Sequence, residues 1–287
     1  MTRRELLAAL LATPIAGQLK SGQEPRAFRG EDVLAKIVAR AKAEGWAQLP
    51  IGERMGRIGS TFLDTPYAAF TLELWPDREA CVVNLRGLDC VTFFESTLGI
   101  ARMLRQGGSL PEELTREVTL TRYRGGRLGD YTSRLHYTCD WMHDNAQKGT
   151  VRLLTPDLPG AERFTERVYF MSTKAQNYRQ LKANPDLVPT IARLEAAINA
   201  RETYFVPVDR IEAIESTLQT GDIVGITAGQ KGIDCAHTGI CYRDADGTLR
   251  FMHAGQSAGR VLLDKRLSEY LKGWATGAMF ARPLDVR

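Results

Sequence analysis

The hydrophobic pattern of the chain is strongest between residues 84 and 106, where large apolar side chains recur at spacings of three and four. Such spacing predicts an α-helix that buries one face. Asp89 precedes the pattern as a candidate N-cap, because its carboxylate can accept hydrogen bonds from the orphan amides of the first turn. Gly107 and Gly108 end the pattern. The predicted helix therefore begins near Cys90. Its apolar positions are Val91, Phe94, Leu98, Ala101 and Leu104.

Helices and strands are predicted in different parts of the chain. Helical periodicity covers residues 30–46, 50–63, 111–118, 134–147, 178–182, 188–201, 208–218 and 267–271. Runs that favour strands cover residues 120–123, 168–171, 221–227, 234–243, 249–254, 261–263 and 275–281. Because helices come first and an antiparallel series of strands follows, the pattern favours an α+β fold over alternating βαβ units.

Composition excludes few classes of protein, but the N-terminus indicates a location. The 287 residues are 44% hydrophobic and 25% charged, as in ordinary soluble proteins, and the net charge of +4 requires no nucleic-acid partner. Residues 1–17 combine two adjacent arginines with a short apolar run, which is typical of an export signal and resembles the twin-arginine type. The alternative is a short amphipathic helix on a cytosolic protein. We predict an exported, periplasmic protein with a linker at 18–29, one domain at 30–287 and no membrane span.

The five cysteines include one with a candidate chemical role. Their odd number leaves at least one free thiol even in an oxidising compartment. Cys90 lies in the first turn of the predicted helix, where backbone amides and the positive end of the helix dipole favour a thiolate. Cys90 is therefore a candidate nucleophile. The structural alternative is that it is a small buried apolar residue, as most single cysteines are.

Two of the four histidines fall on successive predicted strands. A tight hairpin centred near Ala245 pairs residues whose numbers sum to about 490, which puts His253 opposite or diagonally next to His237. A slip of one residue would separate them onto opposite faces. Each histidine alone is better explained as a structural residue in the core or on the surface. Together with Cys90, however, two imidazoles on one face suit a general base and the group that orients it.

Several ordered motifs resemble those of the NlpC-type cell-wall peptidases, which are papain-fold hydrolases of bacterial peptidoglycan. These motifs are LDTPY at 63–67, GLDCVTFFE at 87–95, GDIVGIT at 221–227, GIDCAHTGI at 232–240 and FMHAG at 251–255. Segments 133–145 and 168–178 are more specifically similar to the N-acetylmuramoyl-L-alanine amidase-like branch, long filed as a domain of unknown function. The resemblance covers about residues 50–285.

The resemblance implies a papain-like α+β fold in which the nucleophile helix packs on the C-terminal antiparallel sheet. It also implies that Cys90 is the nucleophile, His237 the base and His253 the orienting residue. The implied reaction is hydrolysis of the N-acetylmuramoyl-L-alanine bond of peptidoglycan or muropeptides through a thioester. That reaction requires no metal or organic cofactor.

The resemblance further implies three residues around the substrate. Tyr67 matches a tyrosine beside the substrate cleft, while Arg134 and Trp141 fall on the branch-specific segment and are candidates to shape the pocket. One departure from the family pattern is Cys235 after Asp234. On a regular strand, Cys235 would share a face with His237, which brings a second thiol towards the site.

Three other functions stay open at this point. The same chemistry could cleave a γ-D-glutamyl–diamino acid bond, because pocket shape sets specificity. A zinc site could form from Cys235, His237, Cys241 and His253, although the usual pair of closely spaced cysteines is missing. A non-catalytic binding module could use the arginine-rich loop at 122–134, which is otherwise explained as a solvated loop. Its arginines are Arg122, Arg124, Arg127 and Arg134.

Overall fold

A computed structural model describes residues 26–286 of the chain. The predicted export signal at 1–17 and most of the predicted linker lie outside the described residues. The end of the linker segment forms strand β1 (Phe28–Arg29), which pairs in parallel with β2 (Val83–Asn84). Within the described residues, no helix is both long and apolar enough to cross a membrane.

The other elements follow the predicted division into helices and then strands. The helices are α1 (Glu31–Ala43), α2 (Ile51–Thr61), α3 (Cys90–Arg105), α4 (Pro111–Arg122), α5 (Thr138–Gln147), α6 (Phe170–Thr173), α7 (Arg179–Ala183), α8 (Val188–Asn199), α9 (Ile211–Ile214) and α10 (Leu267–Leu271). The further strands are β3 (Val151–Leu153), β4 (Glu162–Arg163), β5 (Tyr204–Pro207), β6 (Ile223–Ala228), β7 (His237–Arg243), β8 (Leu249–Gly255), β9 (Arg260–Arg266) and β10 (Ala275–Pro283). Short 3₁₀ turns lie at Trp46–Gln48, Arg124–Gly126, Tyr131–Ser133, Thr155–Asp157, Ala175–Asn177, Pro185–Leu187 and Val208–Arg210.

One antiparallel sheet organises the C-terminal half. Its strand order is β4-β5-β10-β6-β7-β8-β9, and β3 pairs with the end of β10. Neighbouring strands run antiparallel throughout this sheet. The α+β prediction is therefore confirmed.

Helix α3 lies at the centre of the molecule. It begins at Cys90, as predicted, because the Asp89 carboxylate accepts from the amides of Val91 and Thr92 at 3.0 and 2.7 Å. The Asp89 amide donates to the Thr92 hydroxyl at 2.8 Å, which completes a capping box. The helix packs on β7 and β8 on one side and on α2 and α4 on others. Residues 92–104 are therefore all buried, where the sequence predicted a single buried face.

The predicted strand at 120–123 is wrong, since α4 continues through Arg122. Its β-branched residues favour strands in isolation, but here the threonine hydroxyls bond back into the helix. The Thr119 hydroxyl donates to the Thr115 carbonyl at 2.7 Å, and Thr121 donates to Glu117 at 3.2 Å. Packing on α3 then decides the conformation, because the side chains of Val118 and Thr121 are buried there.

The predicted strand around residues 168–171 is also wrong. Only Val168 makes a bridge, to Gly232, and one turn of helix α6 follows from Phe170. The amides of Tyr169 and Phe170 both donate to the Gly232 carbonyl at 3.0 Å, which turns the chain instead of extending it. The apolar residues are still partly buried, which explains why the segment had the composition of a strand.

Other boundaries are shorter than predicted. Helix α5 begins at Thr138 instead of residue 134, and the segment 208–218 is one 3₁₀ turn followed by α9. Along the β7–β8 hairpin, Ile240 pairs with Met252 and Arg243 with Leu249. The paired numbers therefore sum to 492, close to the predicted value. This register puts His253 on the diagonal from His237, which is one of the two predicted positions.

Candidate active site

The start of α3 presents the Cys90 thiol, the predicted nucleophile, beside the start of β7. The thiol is half-buried, so one side stays open. Thr238, the residue after His237, faces the thiol through its hydroxyl and backbone, and both lower the pKa of Cys90. The Thr238 side chain is buried, and its hydroxyl lacks a partner of regular hydrogen-bond geometry in the described part of the chain. The fold thus brings two distant motifs of the sequence together at one point.

Burial sets the protonation state of Cys90. Desolvation raises the pKa of its thiol to about 11, and the negative charge of Asp89 adds to that shift. The amide of Cys90 itself and Thr238 act in the opposite direction but are outweighed. The helix N-terminus therefore does not produce a resting thiolate, which the sequence had favoured. The thiol is neutral at pH 7 and needs a base before it can react.

His237 and His253 form the pair that the hairpin predicts. Nε2 of His237 and Nδ1 of His253 lie 2.7 Å apart in hydrogen-bonding geometry, with their rings at 89°. Phe251 stacks on His253 at 4.6 Å between ring centroids, and Tyr270 lies 5.0 Å from the same ring. Burial holds the pKa of His237 well below its ordinary value, and the proximity of His253 lowers it further. His237 is therefore a neutral imidazole at pH 7, as a general base must be.

Two residues of this site were missed by sequence reasoning. Asp264 on β9 contacts His253, with Oδ2 3.4 Å from Nε2, and Tyr270 on α10 packs over both histidine rings. His253 pairs with Leu262 across the β8–β9 hairpin, and Asp264 follows two residues later, where the register of the hairpin shifts. The turn at 256–259 was a usable signal, because it sets this register in the way that the preceding turn sets the register of β7 and β8.

Tyr67 lies next to the segment that leads into α3. Its amide donates to the Gly259 carbonyl at 2.8 Å, and it makes a parallel bridge with Leu88. Burial raises the pKa of the Tyr67 phenol, and the charges of Cys90 and Asp89 raise it further, so the ring lies close to the thiol. The structure thus brings Tyr67 together with the predicted nucleophile.

Arg134 and Trp141 lie elsewhere, behind α3. Arg134 donates two hydrogen bonds to the Glu79 carboxylate at 2.9 and 2.7 Å, and it is only 6% exposed. The Trp141 indole donates to Glu95 at 3.1 Å and packs edge-on against Phe94 at 5.0 Å. The Trp141 contacts join α5 to α3, and the Arg134 contacts join the loop before α5 to the segment before β2. A direct contact of either residue with substrate stays a prediction.

The arginine-rich loop is mostly an ion-pair network. The Arg122 Nε donates to Glu95 at 2.7 Å, and Arg124 donates to Asp140 at 2.6 Å. With Arg134 also paired to Glu79, the only member of the set that is fully exposed is Arg127. Most of this charge is neutralised inside the molecule and is not presented to an anionic ligand.

The remaining cysteines do not assemble with the histidines into one cluster. Cys235 lies against Gly225 and near Cys90, whose charge contributes to raising the Cys235 pKa after burial. Cys241 is buried in a second core cluster with Leu249. Asp234 accepts from the Cys139 amide at 2.6 Å and so caps the start of α5. Over residues 26–286, no group of three or more histidine, cysteine or acidic side chains is arranged to hold a metal ion.

The chain belongs to the AmiA-like family, described as N-acetylmuramoyl-L-alanine amidase-like, whose model matches residues 57–277. The chain is similar to the crystal structure of an N-acetylmuramoyl-L-alanine amidase from Bacteroides uniformis, with 31% identity, a TM-score of 0.73, and coverage of 81% of this chain and 98% of that one. A protein of Bacteroides fragilis, provisionally named a xylanase, is 32% identical with a TM-score of 0.72, over 79% of this chain and 99% of that one.

A more distant likeness concerns the fold alone. Protein LPG0564 from Legionella pneumophila, of the family model DUF1460, is 18% identical with a TM-score of 0.66, over 88% of this chain and 94% of that one. No curated protein matches the chain. The resemblance to the amidase-like branch is thus confirmed, and family membership supports an enzyme of the amidase type.

Proposed function

We propose that this protein is a cysteine amidase that hydrolyses the N-acetylmuramoyl-L-alanine bond of peptidoglycan or muropeptides through a thioester. The observation that carries the proposal is the junction of α3 with β7. There a capped helix N-terminus holds Cys90 beside the strand that carries the His237–His253 pair. Family membership supplies the class of bond.

We further propose that the fold is papain-like and of the NlpC type. Such enzymes combine a cysteine at a helix N-terminus, a histidine on a strand and a third polar residue on the next strand. The described chain has this arrangement in Cys90 on α3, His237 on β7 and His253 on β8. We also propose, from residues 1–17 of the sequence, that the protein works after export to the periplasm.

The first step is transfer of the thiol proton. His237 uses Nε2 for its bond to His253, which leaves Nδ1 to accept the proton from Cys90. Among the described residues, no hydrogen bond joins the thiol to the His237 ring, so the transfer needs a closer approach when substrate binds. The thiolate then attacks the lactyl carbonyl and forms a C–S bond, while the carbonyl electron pair moves to oxygen.

The helix N-terminus stabilises the resulting oxyanion. The Asp89 cap occupies the amides of Val91 and Thr92, and the Cys90 amide is directed at its own sulfur. Of these three amides, Cys90 N–H is therefore the one that can donate to the oxyanion, which forms next to this sulfur at the positive end of the helix dipole.

Collapse of the intermediate completes the acyl transfer. The C–N bond breaks as the His237 imidazolium gives its proton to the leaving amine of L-alanine, and a thioester stays on Cys90. His237 then removes a proton from water, which attacks the thioester. The sulfur leaves as a thiolate and takes the proton back, and the acid product is released.

A glycosidase, which the name of the Bacteroides fragilis protein suggests for that protein, requires different groups. Glycoside hydrolysis uses a pair of carboxyl groups flanking the bond. Here the Asp89 carboxylate is engaged with two amides of its own helix and Asp264 with His253. The thiol and the two imidazoles favour amide hydrolysis.

Mass spectrometry of defined muropeptides tests the proposal. We expect the wild type to release an intact peptide that begins with L-alanine, and Cys90→Ala to release none. Cys139→Ala is the matched control, because it removes a half-buried thiol that is distinct from the proposed nucleophile and keeps the backbone amide that Asp234 binds. Cleavage after γ-D-glutamate would support the endopeptidase alternative with the same mechanism. Undiminished cleavage by Cys90→Ala would exclude Cys90 as the nucleophile.

A further inference from the structure

We propose that Asp264 is a positioning residue that sets the tautomers of His253 and His237 and so directs the basic nitrogen of His237 at Cys90. The inference deepens the proposed function and rests on it. It extends the three predicted groups to a chain of four, which ends in a carboxylate on β9.

The geometry aligns the four groups in one direction. Oδ2 of Asp264 lies 3.4 Å from Nε2 of His253, and Nδ1 of His253 lies 2.7 Å from Nε2 of His237. The other Asp264 oxygen accepts from the Lys265 amide at 2.7 Å, so the carboxylate is held from its own strand. His253 pairs with Leu262 across the β8–β9 hairpin, and the register shifts beyond Met252, so Asp264 lies in an irregular part of β9 beside His253.

The carboxylate at one end determines every proton position along the chain. An ionised carboxylate only accepts hydrogen bonds, so Nε2 of His253 must carry a proton. With this single proton on His253, its Nδ1 is an acceptor, which requires the proton of neutral His237 to be on Nε2. The remaining His237 nitrogen, Nδ1, is left without a proton and can act as the base.

Packing restricts the orientation of the His253 ring. His253 is 3% exposed and is held between Phe251, stacked at 20°, and Tyr270, tilted at 57°. A ring that cannot rotate responds to its neighbours only through its choice of tautomer. Among these neighbours, only Asp264 accepts without being able to donate.

The charges around the pair are few. His237 and His253 face each other, the Tyr270 phenol from α10 and the Asp264 carboxylate from β9. The Cys90 thiol from α3 lies near Tyr270, and Lys265 adjoins the Asp264 carboxylate. The hydrogen bond from His253 holds the pKa of Asp264 below its ordinary value, so this carboxyl is ionised at pH 7. Its negative charge raises the pKa of His237 against the larger effects of burial and His253.

Nuclear magnetic resonance tests the inference without any substrate. Long-range ¹H–¹⁵N spectra of the wild type at neutral pH should give Nε2–H for both His253 and His237. In Asp264→Ala, the two rings should become a mixture of tautomers. Nδ1–H on His253 of the wild type, or tautomers that Asp264→Ala leaves unchanged, would overturn the inference. Because no cleavage is measured, a wrong substrate cannot affect this result.

Enzyme kinetics provide a second test of the role of Asp264. In Asp264→Asn, the side-chain carbonyl can still accept from His253 but carries no charge. We therefore expect kcat to fall on the order of 10-fold in Asp264→Asn and 100-fold in Asp264→Ala, by analogy with losing the outer partner of a metal-ligating histidine. KM should stay the same. The acid limb of the kcat/KM profile should move to lower pH in both variants, because the charge that raises the His237 pKa is gone.

Glu269→Gln is the matched control, because it removes one exposed negative charge from α10 without contacting either histidine. It should leave kcat and the acid limb unchanged. Wild-type kcat in Asp264→Ala, or a fall in kcat with an unmoved acid limb in folded protein, would overturn the inference. Thermal unfolding of each variant establishes that it is folded.

Discussion

The ionisable groups at the N-terminus of α3 and those on its opposite face differ in protonation state. At its N-terminus, Cys90 and His237 are half-buried without a full opposite charge beside them, and desolvation keeps both neutral. Along its rear face, Glu95 and Arg122 are 1% and 2% exposed, yet they are joined at 2.7 Å as an ion pair. Burial alone would lower the pKa of Arg122, but the Glu95 charge raises it above its ordinary value.

The difference shows how one helix can serve both chemistry and stability. A charge in a buried ion pair keeps one protonation state. That suits a pair that stabilises the fold but not a group that must gain and lose a proton. In the proposed mechanism, the neutral thiol and the neutral imidazole exchange a proton when substrate binds. Arg134 bonds to Glu79 and Trp141 to Glu95, so both belong with the groups that stabilise the fold.

The largest effect is expected from breaking the rear ion pair. Glu95→Gln leaves the Arg122 charge buried without its partner, which should lower the free energy of unfolding by about 3–5 kcal/mol. Urea unfolding of the folded variant measures this loss. In the double variant Glu95→Gln/Arg122→Gln, part of the loss should return, because no unpaired charge remains. Equal losses in the single and double variants would show that the pair contributes through packing alone.

A smaller effect is expected at Arg134. Arg134→Lys keeps the charge but loses the two-pronged bond to Glu79, which should cost about 1.5–3 kcal/mol of stability. We expect KM for a muropeptide to stay unchanged, because Arg134 is occupied behind the helix. If Arg134 binds substrate, as the branch-specific segment suggests, KM rises instead. Arg127→Lys, in the exposed part of the same loop, is the control and should change neither quantity.

The smallest effect is expected at Thr238, beside Cys90 at the N-terminus of α3. Thr238→Val removes a hydroxyl that lowers the pKa of Cys90, so titration of the thiol by its ultraviolet absorbance should give a value above the wild type's, which is about 11. The rate should fall only a few-fold, since His237 still removes the proton. Stability should change little, because the lost hydroxyl has no regular hydrogen-bond partner among the described residues. A lower thiol pKa in Thr238→Val would contradict this role.

Local signals in the sequence predicted several parts of the candidate site. The start of α3 follows from Asp89, whose cap acts within three residues, and the shared face of His237 and His253 follows from one hairpin turn. The helical continuation of α4 to Arg122 did not follow, because its β-branched residues favour strands until α3 packs against them. Asp264 was missed because a second hairpin had to be placed on the first.

By itself, the sequence determined where α3 begins, that His237 and His253 share a face, and the α+β order of helices and strands. Each of these depends on neighbours a few residues away or on strand alternation across a single turn. Only the tertiary structure decided the charge states: a neutral Cys90, a neutral His237 and an ionised Asp264. It also decided that Arg134 faces Glu79. The physical reason is that desolvation and Coulomb interactions depend on the groups that surround a side chain in space, and these come from segments far apart in the chain.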